Sequence, residues 1–319
     1  MRVAVLGAGM WGTAFACLLS DRGHDVTLTD IDRDVVKLIA ETGRNPRHLP
    51  QLDLGGIKAI TLLDAPGLME STDLVVVAVP SHAFASAVHG LGGSSPVLSL
   101  TKGLDPASGR RLSQLVGERP VAALSGPNFA EEIAAGLPAA AVVASEDEQL
   151  ATWLQGEIAS STFRIYVNSD LIGVELCGAA KNVIALAAGA ADGLGLGDNA
   201  KATLMTRGLA EMARLGLACG ASADTFAGLA GMGDLIVTCW HRRGRNRRAG
   251  ELVGRGATAA EAREAIGTVE GLATAPVLLR LAKELAVELP ITAAVCAVID
   301  GGAVQDLAVE LMGRRPTEE

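Results

Sequence analysis

The sequence predicts an α/β fold: a doubly wound sheet over residues 1–170, followed by an all-α domain over residues 171–319. Three observations carry it. A glycine-rich turn near the N-terminus lies between a β-leaning run and a helical run. A series of short, near-continuous apolar runs follows as far as Asn168, the pattern of strands buried on both faces. From Asp170 onward the apolar residues recur at three- and four-residue spacing and no further strand signal is convincing, which predicts helices.

The first strand is "RVAVLG". Gly7-Ala8-Gly9-Met10-Trp11-Gly12 comes next, then "TAFACLLSDRG", a helix ending at Gly23, and a second strand, "HDVTLTD", ending at Asp30. A GxGxxG turn between strand and helix, with an acid 18 positions after its last glycine, is the context of a Rossmann-like dinucleotide site. Gly7 permits the tight turn, Gly9 lets the backbone approach a pyrophosphate, and Gly12 lets helix and strand pack closely. The helix N-terminus offers N–H groups and a positive dipole end to the phosphates. The same first residues, with an early Arg, an apolar run and small residues before Cys17, also have the outline of a lipoprotein signal. The three glycines and the polar "SDRGHD" that follows favour the nucleotide turn. No stretch reads as an uninterrupted membrane span.

Later strands are "DLVVVAVP", "PVLSLTKG", "VAALSGP", "AAAVVAS" and "TFRIYVN". Several end in turn-prone polar residues: Pro80-Ser81-His82, Lys102, and Ser125-Gly126-Pro127-Asn128. Open parallel sheets bind ligands beyond the carboxyl ends of their strands, so Lys102 and Asn128 are expected at the cofactor crevice. The plain alternative for each is an exposed loop residue.

Composition limits the function classes. The chain has 319 residues, 49% apolar and 20% charged, enough to bury a sizeable core. Aromatics are 3% and glycines number 38, so the core is built from Ala, Val, Leu and Gly, and helices can approach closely. A net charge of -9 argues against general affinity for nucleic acids or membrane surfaces. The five cysteines (Cys17, Cys177, Cys219, Cys239, Cys296) form no CxxC pair and no Cys–His cluster of metal spacing; a reduced, cytoplasmic protein without a bound metal is the simplest reading.

In the helical half, Lys181 stands out. On a helix its neighbours are Cys177, Gly178, Ile184, Ala185 and Ala188, a small apolar face. The side chain either snorkels to water along these residues or is buried beside a partner. A partly desolvated lysine next to a carboxylate is a proton donor for a carbonyl. Asp234, after Gly231 and Gly233, either serves a tight site or caps a helix. The run "HRRGRNRRAG" gathers five arginines between Arg242 and Arg248 of an acidic chain. It can be a nucleic-acid patch, a solvated loop or a pocket for a small anion.

Together these residues resemble the NAD(P)-dependent glycerol-3-phosphate dehydrogenases of the bacterial type. The likeness covers nearly the whole chain, through "GAGMWGTA", "VPSH", "TKGL", "SGPNFAEE", "GVELCGAAKNVIALAAG", "GMGDLIVTC", "GRN" and "VEG"; the block around Lys181 and the spacing from Asp234 to Asn246 are its specific parts. The resemblance implies reversible hydride transfer between a nicotinamide cofactor, NAD or NADP, and dihydroxyacetone phosphate, giving sn-glycerol 3-phosphate for phospholipid synthesis. It implies Lys181 as general acid/base and Asp234 as its companion carboxylate. Lys102 would contact substrate and cofactor, and Gly126, Asn128 and Ala130 would be loop contacts. Gly244, Arg245 and Asn246 would form the substrate-phosphate site, with Arg245 also near the cofactor. Met10, Trp11, Asp30 and Ile31 would line the cofactor beside the three glycines, and Thr268 and Glu270 would be late cofactor contacts.

On this reading the arginine cluster serves a small phosphate, with Arg245 as the guanidinium fork; Arg242, Arg243, Arg247 and Arg248 raise the local potential or are solvated. Three positions depart from the family pattern. Met10 stands where Ser or Asn is frequent, Asn128 where Ser or Thr is, and Gly244 where Ser or Thr precedes the arginine. Asp30 at the end of the second strand favours NAD over NADP. The rivals are a related two-domain reductase of the opine or ketopantoate type, which shares the N-terminal half, and a nucleic-acid binder using the arginines, which would need neither Lys181 nor its apolar helix. The expected partner is a small phosphorylated substrate, with no nucleic acid; the sequence leaves the oligomeric state open, a homodimer included.

Overall fold

A computed structural model of the chain describes residues 1–64 and 67–305. The chain divides into two compact units, one of Met1–Asp105 with Arg110–Glu175, the other of Pro106–Gly109 with the chain from Leu176 onward.

The first unit is built on eight strands: β1 (Arg2–Leu6), β2 (Asp25–Asp30), β3 (Lys58–Thr61), β4 (Leu74–Val77), β5 (Val97–Ser99), β6 (Val121–Ser125), β7 (Ala139–Ala144) and β8 (Phe163–Asn168). They form one sheet in the order β3-β2-β1-β4-β5-β6-β7-β8. Helices α1 (Met10–Asp21), α2 (Arg33–Thr42), α3 (Ser81–Val88), α4 (Ala130–Ala134) and α5 (Glu148–Ile158) connect them. Both sheet faces are covered, and the pleat shows why. Along β1, Val3 and Val5 join one apolar cluster with Phe15, Leu19 and Leu28, while Ala4 and Leu6 join another with Val75, Val77 and Phe84.

The strand order reverses between β1 and β4, the switch point at which such sheets bind ligands. All neighbours are parallel except β6 and β7. The link between those two, residues 126–138, holds only the short α4 and does not carry the chain back across the sheet, so β7 returns antiparallel. The seven strands expected from sequence all form. β3 was not expected: at the sheet edge its four residues are largely half-exposed, and so they lack the continuous apolar run that marks the others.

The remaining helices are α6 (Leu171–Gly193), α7 (Gly197–Ala218), α8 (Ala223–Ala227), α9 (Asp234–Trp240), α10 (Arg245–Gly254), α11 (Ala259–Ile266), α12 (Glu270–Glu284) and α13 (Pro290–Ile299). Glycines let α6 and α10 nearly touch backbones. A Cβ on Gly189 of α6 would lie 1.9 Å from the Arg247 carbonyl oxygen, and one on Gly250 of α10 would lie 1.9 Å from that of Leu186. Gly193 and Gly254, four residues further along each helix, repeat the arrangement at 2.4 and 2.3 Å. An alanine at any of these four positions must separate the helices, an overpacking cost of about 1–3 kcal/mol or more.

The sequence offered no membrane-span signal, yet α6 is long and apolar enough to cross one by length and composition. Its most apolar stretch is 89% buried inside the protein, as in a core helix.

Candidate active site

In the first unit the turn after β1 is held from three sides. Gly7 has φ +105°, and a Cβ there would sit 2.7 Å from the Ala78 carbonyl oxygen at the end of β4. A Cβ on Gly12 would collide with the Gly7 carbonyl oxygen at 1.9 Å. By contrast, a Cβ on Gly9 would meet nothing within 4 Å: its side of the turn is open. Gly9 is the N-cap of α1, and no side chain among the described residues caps that helix's first N–H groups. Trp11 stacks edge-on to Phe15 and leaves its buried Nε1–H without an acceptor among the described residues. Met10 is exposed at the same helix start.

Asp30 behaves differently from the simplest expectation. Its Oδ2 accepts from the Ala8 N–H at 2.7 Å and its Oδ1 from the Asp32 N–H at 2.9 Å. The carboxylate braces the glycine turn as well as standing at the end of β2. Ile31 beside it is 82% exposed. Sequence reasoning missed Asn45, which is fully buried and donates to the Ala8 carbonyl at 2.7 Å and to Thr13 Oγ1 at 2.9 Å. Nothing in its local pattern "GRNPRHLP" announces that role; only the fold brings it to the turn.

A second group lies beyond β5 and β6. Lys102 Nζ donates to Asn128 Oδ1 at 2.9 Å and to the Gly126 carbonyl at 3.2 Å. Gly126 has φ +140°, and a Cβ there would come within 2.9 Å of Ala141 Cα. Because Lys102 fixes Oδ1 as the acceptor, Nδ2 of Asn128 points the other way, buried and without an acceptor among the described residues. Ala130 opens α4 and is buried against Ala14 and Leu49.

In the helical unit, Lys181 on α6 does not reach water: it is 5% exposed. Its Nζ donates to Asp234 Oδ1 and, at 2.9 Å, to Thr238 Oγ1; the Thr238 hydroxyl stands 3.3 Å from the same carboxylate oxygen. Asp234 is 2% exposed and is the first residue of α9, one turn before Thr238. The chain reaches it through a single π-helical turn, Leu229–Gly233, in which a Cβ on Gly231 would strike the Phe226 carbonyl at 2.2 Å. Gly231 therefore serves close packing. Burying the pair is tolerable because each charge meets the other and Thr238 adds a hydrogen bond. Thr238 was not singled out from sequence, although its place four residues after Asp234 was the available signal. Nearby Cys239 has its thiol pushed up to about 12 by burial, so it is no nucleophile.

The arginines separate into two kinds. Arg245 is exposed at the first turn of α10, whose N-cap Gly244 provides no side-chain cap. Gly244 is buried, and its N–H donates to the His241 carbonyl at 3.0 Å. Arg242, Arg243 and Arg248 are exposed. Arg247 departs from the expectation of a solvated or field-raising charge. It is 8% exposed and pairs with Asp192 at 2.5 Å and Glu251 at 3.2 Å, because the α6–α10 contact turns it inward. Buried Lys201 shares Asp192 at 2.7 Å and stacks over the Trp240 ring.

Asn246 Nδ2 donates to Asn182 Oδ1 at 2.9 Å, and its Oδ1 accepts from the Gly271 N–H at 2.8 Å. Thus Asn246 ties the start of α10 to α6 and α12. Thr268 and Glu270 lie at the start of α12, both half-buried. Asn182, adjacent to Lys181, was also missed from sequence.

The family model described as NAD-dependent glycerol-3-phosphate dehydrogenase N-terminus matches residues 2–151, and the corresponding C-terminus model matches residues 170–310. The chain is similar to glycerol-3-phosphate dehydrogenase (NAD(P)+) of Moorella thermoacetica, 46% identical, with 99% of this chain and 97% of that one covered. It is 44% identical to the enzyme of the same name from Legionella pneumophila strain Philadelphia 1, over 99% and 98% of the two chains. A crystal structure of glycerol-3-phosphate dehydrogenase from Coxiella burnetii superposes with a TM-score of 0.93 at 38% identity, covering 98% of this chain and 99% of that one.

Proposed function

The chain belongs to the NAD-dependent glycerol-3-phosphate dehydrogenase family, and from that premise we propose how its own residues perform the reaction. It is an NAD(P)-dependent oxidoreductase that reversibly reduces dihydroxyacetone phosphate to sn-glycerol 3-phosphate. The observation that carries the assignment of roles is the buried lysine of α6, held by Asp234 and Thr238.

The first unit fits a dinucleotide. An open Gly9, an uncapped α1 and the orphaned Trp11 Nε1–H are what a pyrophosphate and its neighbouring groups would complete. Gly7, Gly9, Gly12, Met10, Trp11, Asp30 and Ile31 would hold it there, with Lys102 and Ala130 of the same unit adding contacts beyond the strand ends. When bound at this turn, a dihydronicotinamide cofactor would supply the hydride for the ketone carbon. Negative charge then grows on the ketone oxygen. Lys181 donates its Nζ proton to that oxygen, and in the reverse direction takes it back from the alcohol. Asp234 keeps the ammonium charged and aimed, and Thr238 fixes its second hydrogen bond. Arg245 and the α10 N-terminus receive the phosphate dianion, with Gly244 and Asn246 shaping that turn. In the first unit, Lys102, Gly126 and Asn128 would offer polar contacts to a substrate, the Asn128 Nδ2–H having no acceptor among the described residues.

Residues 1–170 serve as the cofactor half and residues 171–319 as the substrate half. The product supplies glycerophospholipid synthesis, in the cytoplasm, where thiols stay reduced. Two carboxylates beside one another, Asp30 and Asp32, favour NADH over NADPH. The test is NADH oxidation by the purified protein on addition of dihydroxyacetone phosphate, run beside ketopantoate and a 2-keto acid. Faster turnover of either rival ketone would reject the assignment.

A further inference from the structure

Asp32 lies two residues beyond the end of β2 and is the N-cap of α2. Its Oδ1 accepts from the Asp34 N–H at 3.0 Å and the Val35 N–H at 3.2 Å. Its Oδ2 takes Nη1 of Arg47. Arg47 arrives on a loop that is fastened to the glycine turn: Asn45 bonds Ala8 and Thr13, and Leu49 packs on Ala14 and Ala130. The fold therefore delivers a guanidinium to the end of the second strand, where the adenosine ribose of a Rossmann-bound dinucleotide sits. Other cations nearby are engaged elsewhere. Arg33 pairs with Asp64 at 3.3 Å, and Arg44 donates to the Pro50 and Gln51 carbonyls, both at 3.2 Å.

We propose that Asp32 sets the cofactor choice by holding Arg47. While the pair is formed, a 2′-hydroxyl is accepted, whereas a 2′-phosphate meets a neutralised cation and the carboxylates of Asp30 and Asp32. Freed from Asp32, the Arg47 guanidinium becomes available to pair with a 2′-phosphate. The proposal rests on the dinucleotide site described above and adds the residue pair that selects between its two cofactors.

The experiment is calorimetric titration of the full chain with adenosine 2′,5′-bisphosphate and with 5′-AMP, which lacks the 2′-phosphate; NADP+ and NAD+ repeat the comparison. Asp32→Ser keeps a helix-capping hydroxyl and removes the charge. It should strengthen the bisphosphate relative to 5′-AMP by about tenfold or more, the size of one charge-assisted hydrogen bond. Adding Arg47→Ala should take that gain away. Arg47→Ala alone should leave the ratio of the two affinities near that of the unmodified protein, because the guanidinium is already neutralised. An unchanged ratio in Asp32→Ser overturns the proposal. So does a gain that survives in the double variant, which would credit the lost carboxylate and not the freed arginine. A selective loss of bisphosphate binding in Arg47→Ala alone overturns it too, since Arg47 would then already serve the 2′-phosphate. Failure of both probes to bind the unmodified protein would instead reject the dinucleotide site itself, and the proposal with it.

Discussion

Asn182 and Asn246 share a 2.9 Å hydrogen bond that joins the residue after the buried Lys181 to the residue after the exposed Arg245. The same Asn246 side chain accepts from Gly271 at 2.8 Å. One amide thus sets Lys181 and Arg245 in a fixed relation through α6, α10 and α12. Asn246→Ala leaves the Gly271 N–H and the Asn182 carbonyl oxygen without these partners, a destabilisation of about 1–3 kcal/mol. It should raise KM for dihydroxyacetone phosphate and lower kcat together. Steady-state kinetics alongside a thermal melt checks this; unchanged kinetics with a lowered melting temperature would reduce Asn246 to a structural tie.

Lys181→Ala should lower kcat by about 100-fold or more, as for loss of a general acid. The Gly/Ala-rich helix suggests that alanine would be harmless to the fold, but Asp234 argues otherwise. At 2% exposure its carboxylate would be left buried without its cation, at about 3–5 kcal/mol. Lys181→Ala combined with Asp234→Asn should recover much of that stability and none of the activity. A drop of less than about tenfold in folded protein would remove Lys181 from the role of acid.

Substitution within the arginine run should give two distinct outcomes. Arg245→Ala should mainly raise KM for dihydroxyacetone phosphate. Arg242→Ala and Arg248→Ala should do much less. Arg247→Ala should instead lower the melting temperature, because it abandons Asp192 and Glu251 in a largely buried network. Equal KM effects from Arg242, Arg245 and Arg248 would mean a diffuse positive field and not a single fork.

Glu211 on α7 gives a pH-dependent stability. It is 4% exposed and its carboxylate caps the start of α13, accepting from the Ile291 and Thr292 N–H groups and the Thr292 hydroxyl. Burial pushes its carboxyl above the usual range, against the opposing pull of those hydrogen bonds. The folded state then holds the proton more tightly than the unfolded state does. Its contribution is full below the ordinary glutamate pKa and is lost as pH rises through the raised one. Glu211→Gln should flatten the fall in melting temperature that begins above about pH 4. The same slope in both proteins would assign it to other groups.

Most of the fold was legible because its signals are local. Continuous apolar runs and the GxGxxG spacing mark strands and turn whatever surrounds them, whereas β3 was missed because an edge strand is only partly buried. The site was legible in its charged members and silent in its supports. Lys181 stood out by being a charge on an apolar helix face, and Asp234 by its glycines. Asn45, Thr238 and Asn182 carry no such mark, since an uncharged polar residue gains a role only from what the fold sets against it.

By itself the sequence determined the sheet followed by helices, the nucleotide turn and the residue types at the site, because hydrophobic period and glycine placement are written along the chain. Only the tertiary structure decided which of those charges have partners. It turned Arg247 inward to Asp192 while Arg245 stayed exposed, drew Arg47 across to Asp32, and closed Lys181 against Asp234 from a helix 53 residues away. Coulombic pairing and desolvation depend on distances in space, and residues remote in sequence acquire those distances only when the helices and strands pack.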